Sequence, residues 1–335
     1  MEKLKRVHAR NLVRWAADKP EVVVLSGDLT KNTEVDGFRD AYPERFFSMG
    51  MAEQNMLSFA GGLAREGFEP FVHSFAVFLY RRPFDQLSMS VAYPNLRVRL
   101  FGFLPGLTTP GGVTHQAIDD LGVLRTVPNM TILVTADATD VESVLDVAHA
   151  VDGPVYIRMQ RGEIPRLFSA AEPMQFGRAR VLSTGDDVTL LTCGVCTEEA
   201  MRATVVLRQR GVSIQHLHVT TLKPFDDPLV AEAVARVHYG VITMENHTVM
   251  NGLGSAVAAV IAENGLGARL VRMGLADTYA YGASHAYLMR KYELDAAALV
   301  RRVEAMIGER LNIGEDELAG VRLTATHSDA KAEGL

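Results

Sequence analysis

In MGMAEQNMLSFAGG, residues 49–62, Glu53 interrupts a set of apolar side chains, Ala52, Met56, Phe59, Ala60 and Leu63, that recur at three- and four-residue steps. That spacing predicts a helix packed in a core. A buried carboxylate in its first turn can manage a proton, whereas an exposed one would only complement the helix dipole, worth about 0.3–1 kcal/mol. Two aromatics in HSFAVF, Phe75 and Phe78, can wall a flat ring by stacking worth ~0.5–1.5 kcal/mol beyond area burial. In VTHQAID, His115 is of the type that donates or accepts a proton near neutral pH. Asp28 in SGDL follows the apolar run VVVL, where parallel sheets collect ligands, and it could equally cap a helix. The stretch YIRMQRGEIPR carries Arg158, Arg161 and Arg166, guanidinium forks suited to an anionic oxygen group. Cys193 and Cys196 form C-x-x-C, which can be a zinc half-site or a redox pair. With no further ligands at suitable spacing, and with a strand-to-helix turn around them, we expect two buried or half-buried thiols.

These residues sit among short apolar runs that alternate with amphipathic stretches. VVVL at 22–25, FFSM at 46–49, a helix from about 52, PFVHSF, a helix around 84–92, RVRLFGF, a helix from about 117, MTILVTA, a helix from about 140 and PVYIRM follow in order. Such alternation predicts βαβ units feeding a mostly parallel sheet covered by helices. Residues 161–187, rich in prolines, glycines and charges, read as a linker with a little strand structure of its own. The alternation then resumes with VTLLT, VSIQHLHV, YGVITME, GLGSAVAAVIAEN, ARLVRMGL and a last helix from about 294 to 307. We therefore expect an α/β protein of two mostly parallel-sheet, three-layer domains, 1–160 and 188–310, with 311–335 as a disordered tail.

The chain has 335 residues, 48% of them hydrophobic, and a net charge of −6 without charge blocks. It offers no electrostatic footprint for nucleic acid or an anionic membrane, and no run reaches the roughly 18 apolar residues of a membrane span. Its first residues lack a signal peptide's unbroken apolar stretch. A cytoplasmic location and small-molecule or protein partners are expected.

Residues 46–120 resemble the pyrimidine-binding domain of transketolase. The marks are SGDLTKNTEV at 26–35, MAEQNM at 51–56, PFVHSFAVFLYRRPFDQL at 70–87 and THQAIDDLGVLRTVPNMTILVTAD at 114–137. TMENHTVMNGLGSAV at 243–257 is similar to the C-terminal domain of the same family, so the resemblance runs from about residue 3 to 310. The family's GDG run, which with a following Asn binds Mg²⁺ and the diphosphate of thiamine diphosphate, is missing. The resemblance thus implies the C-terminal subunit of a split, two-subunit transketolase. An N-terminal-type partner would supply the diphosphate and Mg²⁺ site, with no metal ligand in this chain, and the two would form a heterotetramer.

The same resemblance implies roles. Glu53 matches the glutamate beside N1′ of the aminopyrimidine, which promotes the imino tautomer that deprotonates the cofactor, and burial against a ring helps a carboxyl share such a proton. Phe75 and Phe78 match the pocket aromatics, Asp28 an aspartate near the thiazolium, and Arg82 the arginine of the RAFDQ-like stretch, although Arg82 could also pair with Asp85. His115 matches the histidine facing the reacting carbonyl and hydroxyls. Arg161 matches the phosphate-gripping arginine, with Arg158 and Arg166 as competitors. His73, Glu245 and His247 lie in similar stretches without an assigned chemistry.

One loop departs from the family. GFLPGLTTPGGVTHQ places Leu104 where an upstream histidine is expected, and Pro110, Gly111 and Gly112 replace an acidic pair. The cofactor-handling residues are kept while those that read sugar hydroxyls are changed, and a site built for a hydroxyl discriminates strongly through it. The expected activity is transfer of a two-carbon ketol unit from a ketose or ketose phosphate to an aldehyde-type acceptor, with non-standard substrates. The β-subunit of a 2-oxoacid dehydrogenase or an acyloin-forming relative shares the architecture and is the nearer alternative. A non-catalytic scaffold subunit is the other.

Overall fold

The computed structural model describes residues 3–321 and 323, and their strands form two principal sheets. The strands are β1 (Lys3–Lys5), β2 (Val22–Ser26), β3 (Phe46–Ser48), β4 (Glu69–Phe75), β5 (Arg99–Phe103), β6 (Thr131–Val134), β7 (Val155–Met159) and β8 (Glu163–Pro165). They continue with β9 (Arg180–Ser183), β10 (Val188–Thr192), β11 (Ile214–His218), β12 (Thr221–Lys223), β13 (Gly240–Thr248) and β14 (Leu270–Leu275). The first sheet has the order β12-β6-β7-β5-β4-β2-β3 and is parallel except for its β12 edge. The second, β14-β13-β10-β11-β9, is parallel except for β9. This is the expected α/β architecture. Strands such as VVVLS and VTLLT are buried at every position because helices cover both faces of a parallel sheet.

Three expectations are refined. The helix expected around 84–92 is present as a short α-helical piece, Phe84–Gln86, that continues as a π-helix, Leu87–Ala92. Its backbone lies so close to the helix Glu53–Arg65 that a Cβ on Gly61 would sit 2.4 Å from the Ser90 carbonyl oxygen. The division of the chain at 188 also differs, since β9 already belongs to the second sheet and β12 crosses back to complete the first. A three-residue strand carries no periodicity that could reveal this. Part of the expected disordered tail is a helix, Glu315–Gly320, because Leu318 is buried in the second core and Glu317 pairs with Arg210 at 2.7 Å. Residues 322 and 324–335 of that tail lie outside the described residues.

Buried histidines tie stability to pH. His8 and His73 face each other through Nε2 atoms 3.0 Å apart, and His216 bonds Thr192 at 2.9 Å, all fully buried. Burial lowers His8 and His216 to about 3 and holds His73 well below its ordinary value. Neutral when folded and titrating near 6.5 when unfolded, each contributes stability that is present above pH 6.5 and lost as pH falls, at up to about 1.4 kcal/mol per pH unit. Asp137, pushed up to about 7 by burial and by Asp140, acts in the opposite sense, its contribution being lost as pH rises from about 4 to 7. The check is therefore a difference. Urea denaturation between pH 5 and 7.5 should show a shallower loss of stability on acidification for His216→Asn than for the parent, and equal slopes would refute it.

Candidate active site

Six of the residues singled out in the first domain lie at or just beyond a strand's carboxyl end, the edge where open parallel sheets bind ligands. Exposed Asp28 follows β2, Glu53 begins the helix after β3, Phe75 ends β4 and Phe78 lies one turn beyond. His115 belongs to the loop after β5, and Arg161 follows β7. Residues far apart in sequence are gathered here because parallel crossovers return each strand in the same direction.

Glu53 is 5% exposed, and its Oε1 accepts from the Arg82 guanidinium at 2.5 Å. Arg82 lies 3.7 Å above the centre of the Phe78 ring, so it pairs with Glu53 and not with Asp85. Phe75 and Phe78 stack at 5.9 Å between centroids. The His115 ring meets both edgewise, at 6.2 and 5.4 Å, and its Nδ1 bonds the Thr114 hydroxyl at 2.9 Å. Arg161 lies over Phe75, 5.9 Å from the ring centre, while donating to the Asn32 carbonyl at 2.8 Å. Its two competitors are committed elsewhere. Arg158 is buried against Asp120, and Arg166 holds Glu142 with two bonds of 2.9 Å. Glu53, Phe75, Phe78, Arg82, His115 and Arg161 thus form one cluster of acid, flat apolar wall, imidazole and guanidinium.

The loop that departs from the family borders this cluster. Leu104 is buried at 8% with φ of +55°, a left-handed conformation costing a non-glycine residue roughly 1–2 kcal/mol. Together with Pro110, Arg161 and His285 it lines a cavity of about 610 Å³. A Cβ on Gly111 would lie 2.9 Å from that of His115, so glycine there permits the imidazole's close approach.

Sequence reasoning missed the support beneath the loop. Asp120 accepts from Arg158 at 2.8 and 2.9 Å and from the Tyr156 hydroxyl at 2.7 Å, all three side chains being buried. The signal was present in THQAIDD, whose last residue this is. Glu245 accepts from the backbone of Leu253 and Gly254 at 2.7 and 2.8 Å, capping the helix Leu253–Glu263, and the backbone N–H of Gly122 donates to His247. His73 is fully buried away from the cluster. Cys193 and Cys196 are free and buried, with both thiols pushed up by burial.

Two mostly parallel α/β domains with an acid, aromatic pair and histidine at the strand ends define the class. The transketolase pyrimidine-binding domain matches residues 4–166 and the transketolase C-terminal domain matches residues 177–299. A transketolase family protein of Sinorhizobium fredii is 37% identical over 88% of this chain and 86% of its own length. The 6-deoxy-6-sulfo-D-fructose transketolase subunit SqwH of a Clostridium species is 36% identical over 92% and 95%. A 1-deoxy-D-xylulose-5-phosphate synthase of Chlorobium phaeovibrioides is 33% identical over 90% of this chain, which spans 48% of that protein. Among solved structures, a split gene transketolase, an inactive β4 tetramer, superposes with a TM-score of 0.83 at 37% identity over 90% of this chain and 97% of its own. The chain belongs to the transketolase family and corresponds to the C-terminal subunit of its split-gene members. No helix among the described residues is long and apolar enough to cross a membrane.

Proposed function

We propose that this chain is the pyrimidine-binding subunit of a thiamine-diphosphate-dependent transferase that moves a two-carbon ketol unit from a ketose or ketose phosphate to an aldehyde-type acceptor. The observation that carries the reading is Glu53, a buried carboxylate beside a flat aromatic wall and within one cluster with His115. The donor set suits the cofactor. The Phe78 face and the Glu53 carboxylate already hold a planar N–H-bearing cation, the Arg82 guanidinium, and an aminopyrimidine offers the same flat face and N–H edge. When bound, thiamine diphosphate supplies the carbon nucleophile that adds to the donor carbonyl. Glu53 holds the proton at the ring's N1′, Phe75 and Phe78 bind the ring and exclude water, and Asp28 and Arg82 complete the pocket. His115 exchanges a proton with the substrate's oxygen, and Arg161 grips an anionic tail.

The diphosphate and Mg²⁺ fall to an N-terminal-type partner carrying the GDG…N run, within a heterotetramer. Exposed apolar side chains next to the cluster residues in the chain support such covering: Met51, two positions before Glu53, and Phe84, two after Arg82, are 75% and 41% exposed. That the structurally similar β4 tetramer is inactive accords with a missing partner.

Leu104 and the Pro110-Gly111-Gly112 turn leave no carboxylate where the family reads the donor hydroxyl, so substrate choice is redirected. Reconstituted with its partner, thiamine diphosphate and Mg²⁺, the enzyme is expected to turn over xylulose 5-phosphate and ribose 5-phosphate at kcat/KM at least about tenfold below its preferred pair. A ketose and aldehyde screen followed by initial rates checks this, and full efficiency with the pentose phosphates would defeat it. The synthase relatives favour a second reading, acyloin formation from a 2-oxoacid. Release of carbon dioxide from pyruvate by the same complex would select it.

A further inference from the structure

The ENH run at the end of β13 and the loop bearing His115 are far apart in sequence but meet in the fold. Asn246, 2% exposed, accepts from the Leu107 backbone N–H at 2.9 Å and donates its own amide to the Pro105 carbonyl at 3.1 Å. The contact is so close that a Cβ on Gly106, whose φ is +59°, would sit 2.3 Å from the Asn246 carbonyl oxygen. Next to Asn246, His285 bonds the Leu107 carbonyl through Nδ1 at 3.1 Å. The carbonyl has only lone pairs, so Nδ1 carries the proton, and burial favours the neutral ring. At the loop's far end Gln116, 1% exposed, donates to the Tyr281 carbonyl at 3.0 Å. Gly112 and Gly282 face each other there, and a Cβ on Gly282 would come within 2.9 Å of the Pro110 carbonyl oxygen. The loop from Leu104 to Gln116 is thus clamped at both ends by the second domain.

We propose that Asn246 and His285 are positioning residues for His115, so that the second domain sets the imidazole's place over the Phe75–Phe78 wall. This rests on the role given to His115 above. Neither residue touches the wall in the contacts described; each acts by holding the backbone of residues 105–107, eight to ten positions before the imidazole. Misplacement of a reacting group by about 1 Å can cost on the order of 10²-fold in rate, and buried hydrogen bonds whose loss strands a partner are the ones that fix a backbone.

The test has two readouts on the full-length chain. By hydrogen-exchange mass spectrometry without partner or cofactor, Asn246→Ala and His285→Ala should each speed exchange across residues 105–116 by about tenfold or more, with Arg99–Phe103 and Val155–Met159 unchanged. In the complex with the N-terminal-type subunit, thiamine diphosphate and Mg²⁺, each should lower kcat/KM by about 10- to 100-fold. Calorimetric affinity for thiamine diphosphate should change by less than about twofold. In a His115→Ala background both losses should vanish, since a residue acting only through His115 has nothing left to position. His285→Gln, whose side-chain amide can also donate to a carbonyl, should restore most of the rate. His285→Ala keeps the test open should Asn246→Ala not fold. Unchanged exchange over 105–116, an equal loss in the His115→Ala background, or a matching fall in cofactor affinity would each overturn the proposal. No thiamine-dependent turnover by the parent complex would sink the functional reading, and exchange would then decide the positioning alone.

Discussion

Replacing Glu53 by alanine is expected to abolish thiamine-dependent turnover while leaving the chain folded and its complex assembled. The carboxylate lies in a largely dry setting, 5% exposed, at the first residue of the helix Glu53–Arg65, and Arg82 is the cation it meets. A positioned proton-handling group contributes about 10²–10⁴-fold in rate, whereas its removal from a helix start forfeits only about 0.3–1 kcal/mol of dipole stabilisation. Glu53→Gln sharpens the test. It keeps the shape and the oxygen that Arg82 bonds but cannot hold a proton on a carboxylate, so it should be nearly as inactive as the alanine variant. Initial rates of the reconstituted complex, with light-scattering mass and circular dichroism to show assembly and fold, supply the measurement. A rate unaffected by either change would favour a scaffold role and end the catalytic assignment.

Asp120→Ala is expected to destabilise the first domain by about 3–5 kcal/mol, because it strands the buried Arg158 charge. Arg158 is 2% exposed and Asp120 fully buried, with the paired bonds already described and a further one from Arg158 to the Ala117 carbonyl at 2.9 Å. Asp120 also strengthens the hold of Arg158 on its proton, against the opposing effect of burial. Once the carboxylate is gone, the guanidinium must remain charged and unpaired in the interior or drag the loop open. Paired replacement, Asp120→Leu with Arg158→Met, should cost markedly less than Asp120→Ala alone, since no charge is then left buried. Urea denaturation followed by tryptophan fluorescence at Trp15, within the first domain, reads the effect. A single-variant loss under about 1 kcal/mol, or a double variant no better than the single, would contradict it.

The strand and helix order of both domains was legible along the chain because hydrophobic periodicity is a local property, and VVVLS or VTLLT reports its own burial. Strand β12 was not, since a three-residue segment gains its place only from pairing with β6 across the domain boundary. The helix Glu315–Gly320 was hidden for a similar reason, its Leu318 finding its core only after the second domain exists. In the candidate site, Glu53 could be singled out because a charge among apolar neighbours is a contradiction visible in one line of sequence. The partner of Arg82 could not, and proximity in sequence favoured Asp85 where the fold supplied Glu53. The arginine stretch left three candidates open that differ only in what surrounds them, and the fold gives those surroundings: Arg158 is buried against Asp120, Arg166 pairs with Glu142 and Arg161 lies near the Phe75 ring.

By itself, then, the sequence determined residue types, their local periodicity and the family motifs, and with them the α/β class and the kit of acid, ring wall and imidazole. Only the tertiary structure decided which of these meet, and that the ENH strand end grips the loop of His115. Contacts between residues more than a hundred positions apart, such as Leu107 with Asn246, arise where a loop of one domain meets a strand end of the other and leave no mark on either segment alone.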